Sequence, residues 1–346
     1  MNLSRRTGIR TIESGGEGVK TVYRIRGRLR VSGAKARLNL TMVLCETGQI
    51  LFSRNYDGDI TDIFEFGDQI TAKISADLRI QINAYDADRL EDLSDDELSI
   101  SELRSRAARR FYDVTYPSWQ RGFALMERAV ELTPDDPMSL AMRAIGDMML
   151  HGARKEKMDP ERAKMHEEGL NLAIKLAPKV DFLFSSRANF NSLVKGDGLA
   201  ALRDAEQCMA LNPNYQIGYG ALGLAKMLLD ELPAAIERLE FTMGLSSDDP
   251  LEPQRTFPLA VSYYLTGQYQ KARSVIEKLL HVYSEDRVLQ KLLAMSLRGL
   301  GDVDGAAKQE ELVAKMPFTP SISSIRMNLP PAYDTFAKEL WSVARP

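Results

Sequence analysis

A chain of 346 residues exceeds what one hydrophobic core usually supports, so two units or a repeat array are expected. Its 44% hydrophobic and 27% charged residues are ordinary for a globular protein, and the net charge of −3 argues against a general polyanion binder. No apolar run approaches the roughly 18 residues a membrane helix needs, no apolar leader opens the chain, and Cys45 and Cys208 lie too far apart for a CxxC site or a disulfide framework. The chain as written therefore reads as cytoplasmic; a transmembrane segment upstream of Met1 would instead leave this part facing the periplasm.

Charge is unevenly spread: residues 1–40 carry +8 and the remainder −11. Within the basic part, YRIRGRLRV (23–31) alternates with period two. Arg24, Arg26, Arg28 and Arg30 fall on one face of a strand, with Tyr23, Ile25, Leu29 and Val31 on the other. Leu38, Leu40, Met42 and Leu44 repeat the pattern, and Ile50–Phe52 opens a third strand. Ser32-Gly33 and Thr47-Gly48 supply the turns of an antiparallel meander. The arginine face offers a candidate nucleic-acid contact. Against it, no aromatic residue shares that face to stack a base, and a half-buried strand requires such a polar side anyway.

After Asp57-Gly58 the period lengthens to three or four (Ile60, Ile63, Phe64, Phe66, Ile70, Ile74, Leu78, Ile82), an amphipathic helix that covers the sheet. Residues 84–102 hold eight acidic side chains and one arginine, which marks a solvated linker and the domain boundary. It could neutralise part of the arginine face.

From 103 onward the pattern is helical and repetitive. GQYQKA (267–272) and GDVDGA (301–306) are 34 residues apart, as are Ala260 and Ala294, and Ala201 and Ala235. Pro134, Pro178, Pro213, Pro250 and Pro317 each follow a helix of one type, where proline forbids continuation. Small residues (Gly223, Ala260, Ala294; Ala201, Ala235, Ala272, Ala306) let paired helices approach closely, and Gly196, Gly267 and Gly301 suit left-handed helix ends. Six helix pairs are expected, over 103–134, 137–178, 182–213, 216–250, 253–284 and 287–317. The second carries an insertion around 153–160, and a helix over 331–343 caps the final hydrophobic face.

This period resembles the tetratricopeptide (TPR) repeat. The fold class is therefore mostly α: a TPR α-solenoid preceded by a small, truncated α+β domain. That domain, over 1–83, resembles the TolB amino-terminal/FlgO-like module. The likeness is carried by YRIRG (23–27), RLNL (37–40), ETGQILF (46–52), Tyr56-Asp57 and Asp62-Ile63-Phe64…Asp68-Gln69-Ile70, with Phe52 where that family shows tryptophan. Residues 2–12 look like the end of its first helix and the following strand, which places Met1 inside the domain. The order TolB/FlgO-like module, then 103–346 as repeats, resembles the C-terminal part of bacterial TPR-bearing class III adenylate/guanylate cyclases. The resemblance implies a protein-interaction or sensory module of a signalling protein. No cyclase catalytic domain lies in the chain, so that activity is not carried over. A winged-helix transcriptional regulator shares the order, and a free-standing TPR adaptor is the further alternative.

No catalytic constellation is evident, and neither cofactor nor metal is expected. His151, His166 and His281 lack metal-ligand spacing. Gly218-Tyr-Gly-Ala-Leu-Gly satisfies GxGxxG but follows no strand, so packing is its expected role. Candidates for the partner-binding groove are Phe190, Leu193, Met227, Tyr264, Lys291, Met295 and Arg298 on first helices, several of which would serve equally as inter-repeat core. The Lys-x-x-x-Asn clamp of chaperone-binding TPRs is missing: the equivalent pairs are Ser186/Phe190, Gly220/Leu224, Phe257/Val261 and Lys291/Met295.

Overall fold

The structure, a computed structural model, describes residues 22–59 and 93–344 apart from 114, 155, 214 and 244–251. Between these stretches it describes Gly67, Ile70, Thr71, Lys73, Ile74, Asp77, Leu78, Gln81, Ile82, Tyr85 and Leu90. The elements expected over 2–12, and much of the helix expected over 60–82, lie outside the described residues.

Alternating side chains and two left-handed glycines (Gly33, φ 60°; Gly48, φ 74°) fold the basic segment into a meander. Its strands are β1 (Tyr23–Ser32), β2 (Lys35–Leu44) and β3 (Ile50–Asp59), in the order β1-β2-β3, all antiparallel. Leu40, Met42, Phe52 and Tyr56 bury one face against Ile70, Ile74, Leu78 and Ile82. Asp77, 3% exposed, accepts hydrogen bonds from Tyr56 Oη (2.6 Å) and Arg54 Nη1 (2.8 Å), tying the helical segment to β3. One expectation fails on β1. Leu29 and Val31 are 56% and 57% exposed; among the described residues the apolar cover packs against β2–β3 and, on the outer strand, against Tyr23 and Ile25.

The acidic stretch is not simply a solvated linker. Leu90 and Leu98 are buried in one core with Leu103 and Trp119. Arg106 donates to the Leu93 carbonyl (2.8 Å) and pairs with Asp95, while Arg128 lies 3.6 Å from Asp96. Asp95 and Asp96 thus meet arginines of the helical array, while Glu97 and Glu102 accept from Ser94 and Ser99.

Twelve helices among the described residues then form six antiparallel pairs, as the 34-residue period predicts. They are α1 (Ile100–Tyr112) with α2 (Tyr116–Leu132), α3 (Pro137–Ala153) with α4 (Pro160–Leu176), and α5 (Asp181–Phe190) with α6 (Gly198–Leu211). There follow α7 (Gln216–Leu228) with α8 (Leu232–Thr242), α9 (Glu252–Leu265) with α10 (Tyr269–Val282), and α11 (Arg287–Gly299) with α12 (Val303–Lys315). The starts are written in the sequence. Ser99 forms a capping box with Glu102, and Asp136, Asp159, Asp197, Asp286 and Asp302 accept backbone N–H groups as N-caps. Gly196, Gly267 and Gly301 turn between paired helices at φ 68°, 73° and 82°, and Asp230 takes that role at φ 65° after α7. Ala201, Ala235, Ala260, Ala272 and Ala294 are fully buried at the helix contacts.

The tail departs from expectation. The short helix α13 (Asp334–Leu340), flanked by 3-10 turns, does cover α9 and α11 through Phe336, Leu340 and Trp341. The segment before it, however, does not stay at the end of the array. It folds back along the first helices as far as α3, where Ile325 Cγ2 would lie 2.9 Å from a Cβ at Gly152. A terminal cap needs only the last apolar face; this tail instead covers the apolar inner side of several repeats.

Candidate functional site

First helices of stacked repeats line the inner face, where a partner segment can touch each repeat once. In this chain the tail occupies that line. Ser323 Oγ donates to the carboxylate of Asp286 (2.5 Å to Oδ2) at the start of α11, and Trp341 Nε1 donates back to the Ser323 carbonyl (3.0 Å). Asn328 Nδ2 donates to the carbonyls of Ser192 (2.8 Å) and Leu193 (3.1 Å), in a π-helical turn (Asn191–Lys195) that ends α5. Such a turn leaves carbonyls without their usual partners, and the amide satisfies them. Tyr333 Oη donates to Asp230 (2.7 Å), and the Phe336 ring stacks on Tyr264 with centroids 5.0 Å apart. Glu339 receives Arg298 (2.9 Å) and Lys291 (3.1 Å); both cations also pair with Glu310 of α12. Burial opposes the charge of Glu339, but hydrogen bonds from Arg298 and Lys291 outweigh it and hold the carboxyl below its usual range.

Of the groove candidates, Tyr264, Lys291 and Arg298 thus come together around α13. Leu193 lies half-buried beneath the tail. Phe190, Met227 and Met295 are each 1% exposed and form inter-repeat core. Beneath the tail an apolar void of about 80 Å³ remains, between Met148, Met149, Leu193, Leu224 and Phe257 on one side and Ile322, Ile325 and Met327 on the other. A wider, more polar cleft of about 900 Å³ opens where the α3–α4 loop, the π-helical turn and residues 325–329 meet.

Two further arrangements escaped the sequence reading. Asp147 on α3, fully buried, accepts from His166 Nε2 (2.7 Å) and Arg162 Nη2 (2.9 Å) on α4, and His151 Nδ1 lies 3.1 Å away. Burial works against its ionisation, yet the hydrogen bonds from His166 and Arg162 prevail and bring its pKa down to about 2. The aspartate four residues before His151 was the available signal. The second is the tail itself, since nothing in 322–341 shows in sequence which repeat it will touch.

GxGxxG serves packing. A Cβ at Gly218 would meet Met209 Sδ at 2.7 Å, one at Gly220 Arg255 Cγ at 2.9 Å, and one at Gly223 Leu239 Cγ at 2.6 Å. Arg24, Arg26, Arg28 and Arg30 are exposed, opposite Val43, Thr41, Asn39 and Arg37, and form no ion pair among the described residues. Among those residues no group of three or more His, Cys, Asp or Glu could hold a metal ion, and no helix is long and apolar enough to cross a membrane.

No protein-family model matches the chain, and no curated protein matches it. Solved structures do. Human IFIT1, in a dimer with PPP-AAAA, is similar over 71% of this chain and 57% of its own, at 15% identity and a TM-score of 0.54. The APC/C hetero-tetramer Cut9–Hcn1 is similar over 80% of this chain and 48% of its own, at 11% identity and a TM-score of 0.52. TTC0263, a thermophilic TPR protein of Thermus thermophilus, aligns over 57% of this chain and 99% of its own, at 19% identity and a TM-score of 0.46. The chain thus spans about half the length of the IFIT1 and Cut9–Hcn1 chains. Such identities speak to fold alone. The fold is a TPR-type α-solenoid behind a small three-stranded sheet.

Proposed function

We propose that this chain is the non-catalytic recognition part of an adenylate-cyclase-like signalling protein, holding a protein or peptide partner along the inner face of its repeats. The observation that carries the reading is the row of contact points along successive first helices and the turns that end them, each able to hold a side chain of a segment lying across them. The cyclase-like assignment is supported by the antiparallel meander with its helical cover, set before the solenoid in the order of that resemblance. Two experiments test it. Binding of a selected peptide must fall in Arg298→Glu and Tyr264→Ala chains and survive in Arg238→Glu, on the outer helix α8; equal binding by all three removes the groove reading. An in-frame catalytic domain in the DNA upstream of Met1 supports the cyclase assignment. A winged-helix domain there moves the chain to the transcriptional regulators, and neither leaves a TPR adaptor.

A further inference from the structure

Four tail contacts follow the solenoid in chain order. Asn328 meets the end of α5, Tyr333 the turn after α7, Phe336 the end of α9 and Glu339 the cations of α11, one contact for each of the last four repeats. Tyr333, Phe336 and Glu339 are three residues apart and share one helical face, as a groove ligand requires. The groove contributes a different chemistry at each step: main-chain carbonyls for an amide donor, a carboxylate for a phenol, an aromatic ring, and a pair of cations for a carboxylate. This order matches a segment of one polarity and one register.

We infer that residues 327–344 are a built-in stand-in for the partner, and that the groove's external ligand is an acidic-aromatic peptide of the same pattern, amide, x4, Tyr, x2, aromatic, x2, Glu, which binds by displacing the tail. The inference rests on the groove reading above and adds the class of partner. The tail is favoured by its high effective concentration, and a void of about 80 Å³ beside Ile322, Ile325 and Met327 leaves its leading end loosely packed. That end leaves apolar surface uncontacted, and a partner extended before the pattern by a bulky apolar residue gains contacts the tail lacks.

The test uses the full chain and a fluorescein-labelled peptide of residues 327–344, read by anisotropy. A Trp119→Phe background leaves Trp341, now 1% exposed, as the reporter of tail docking. Phe336→Ala/Glu339→Gln should shift Trp341 emission to the red and tighten peptide binding about tenfold or more, because a site occupied in cis loses apparent affinity in proportion. Asn328→Ala, a milder change outside the helix, should act in the same direction by a smaller factor. Adding Arg298→Glu to the undocked chain should abolish binding. If Trp341 emission stays unmoved in both variants, these contacts do not hold the tail and the inference fails. If the undocked chain binds scrambled peptides as tightly, the groove is an interaction surface but the partner class is wrong. If it binds no peptide at all, the groove reading falls with it.

Discussion

Replacing Asp147 by asparagine removes a charge from a site with almost no water. The carboxylate is 1% exposed and collects hydrogen bonds from Arg162 and His166, so the variant leaves a guanidinium facing a neutral amide. Lowering the pKa from 3.8 to about 2 corresponds to roughly 2 kcal/mol of differential stabilisation, at about 1.36 kcal/mol per pH unit. Loss of one partner from a fully buried pair costs about 3–5 kcal/mol. Arg162 is 39% exposed and partly hydrated, which places Asp147→Asn nearer the lower figure. The sign fixes the pH window. A folded-state pKa below the unfolded one contributes stability that is complete well above pH 4 and is lost as pH falls through about 2. Urea titrations of both chains, followed by circular dichroism, should therefore differ by about 2 kcal/mol near neutrality and converge toward pH 2. A difference that stays constant across that range would refute the assignment of the stabilisation to the ionised carboxylate.

Glu339 obeys the same sign. Its carboxyl is held below the usual range by Arg298 and Lys291, so Trp341 emission should report a docked tail above about pH 4.5 and release as pH falls further; a release unchanged in Glu339→Gln would contradict this. Gly223→Val puts new carbon against Leu239, 2.6 Å from the first added atom, and should cost about 1–3 kcal/mol, seen as a lower Tm with the same fold by circular dichroism. Arg24, Arg26, Arg28 and Arg30 changed together to serine should leave duplex mobility unaltered in a gel shift at about 0.15 M salt. A salt-sensitive shift lost in that variant would instead assign the strand to phosphate contact.

The array was legible because its determinants are local and repeated. Ala260 and Ala294, or Gly267 and Gly301, reappear every 34 residues, since each helix pair solves the same packing problem. Aspartate N-caps and prolines punctuate the pairs from within a few residues. The tail was not legible for the opposite reason. Asn328 bonds to Ser192 across 136 residues, and Ser323 to Asp286 across 37, contacts that no period records. Leu29 and Val31 mislead similarly: alternation says which side chains share a face of β1, but not how far along the strand that face is covered. Among the groove candidates, register located the first helices but could not separate Met227, pressed between repeats, from Tyr264, which faces the tail.

The order of synthesis gives the tail's position a temporal meaning. All six helix pairs leave the ribosome before residues 317–344, and helical repeats rich in local contacts fold in microseconds to milliseconds. At about 5–20 residues per second, the remaining stretch takes on the order of a few seconds to appear. While the tail is still within the ribosomal exit tunnel, the inner face of the earlier repeats lacks it, and the carbonyls after α5 are without Asn328. A partner made nearby can engage then without contending with the segment that later closes over the site.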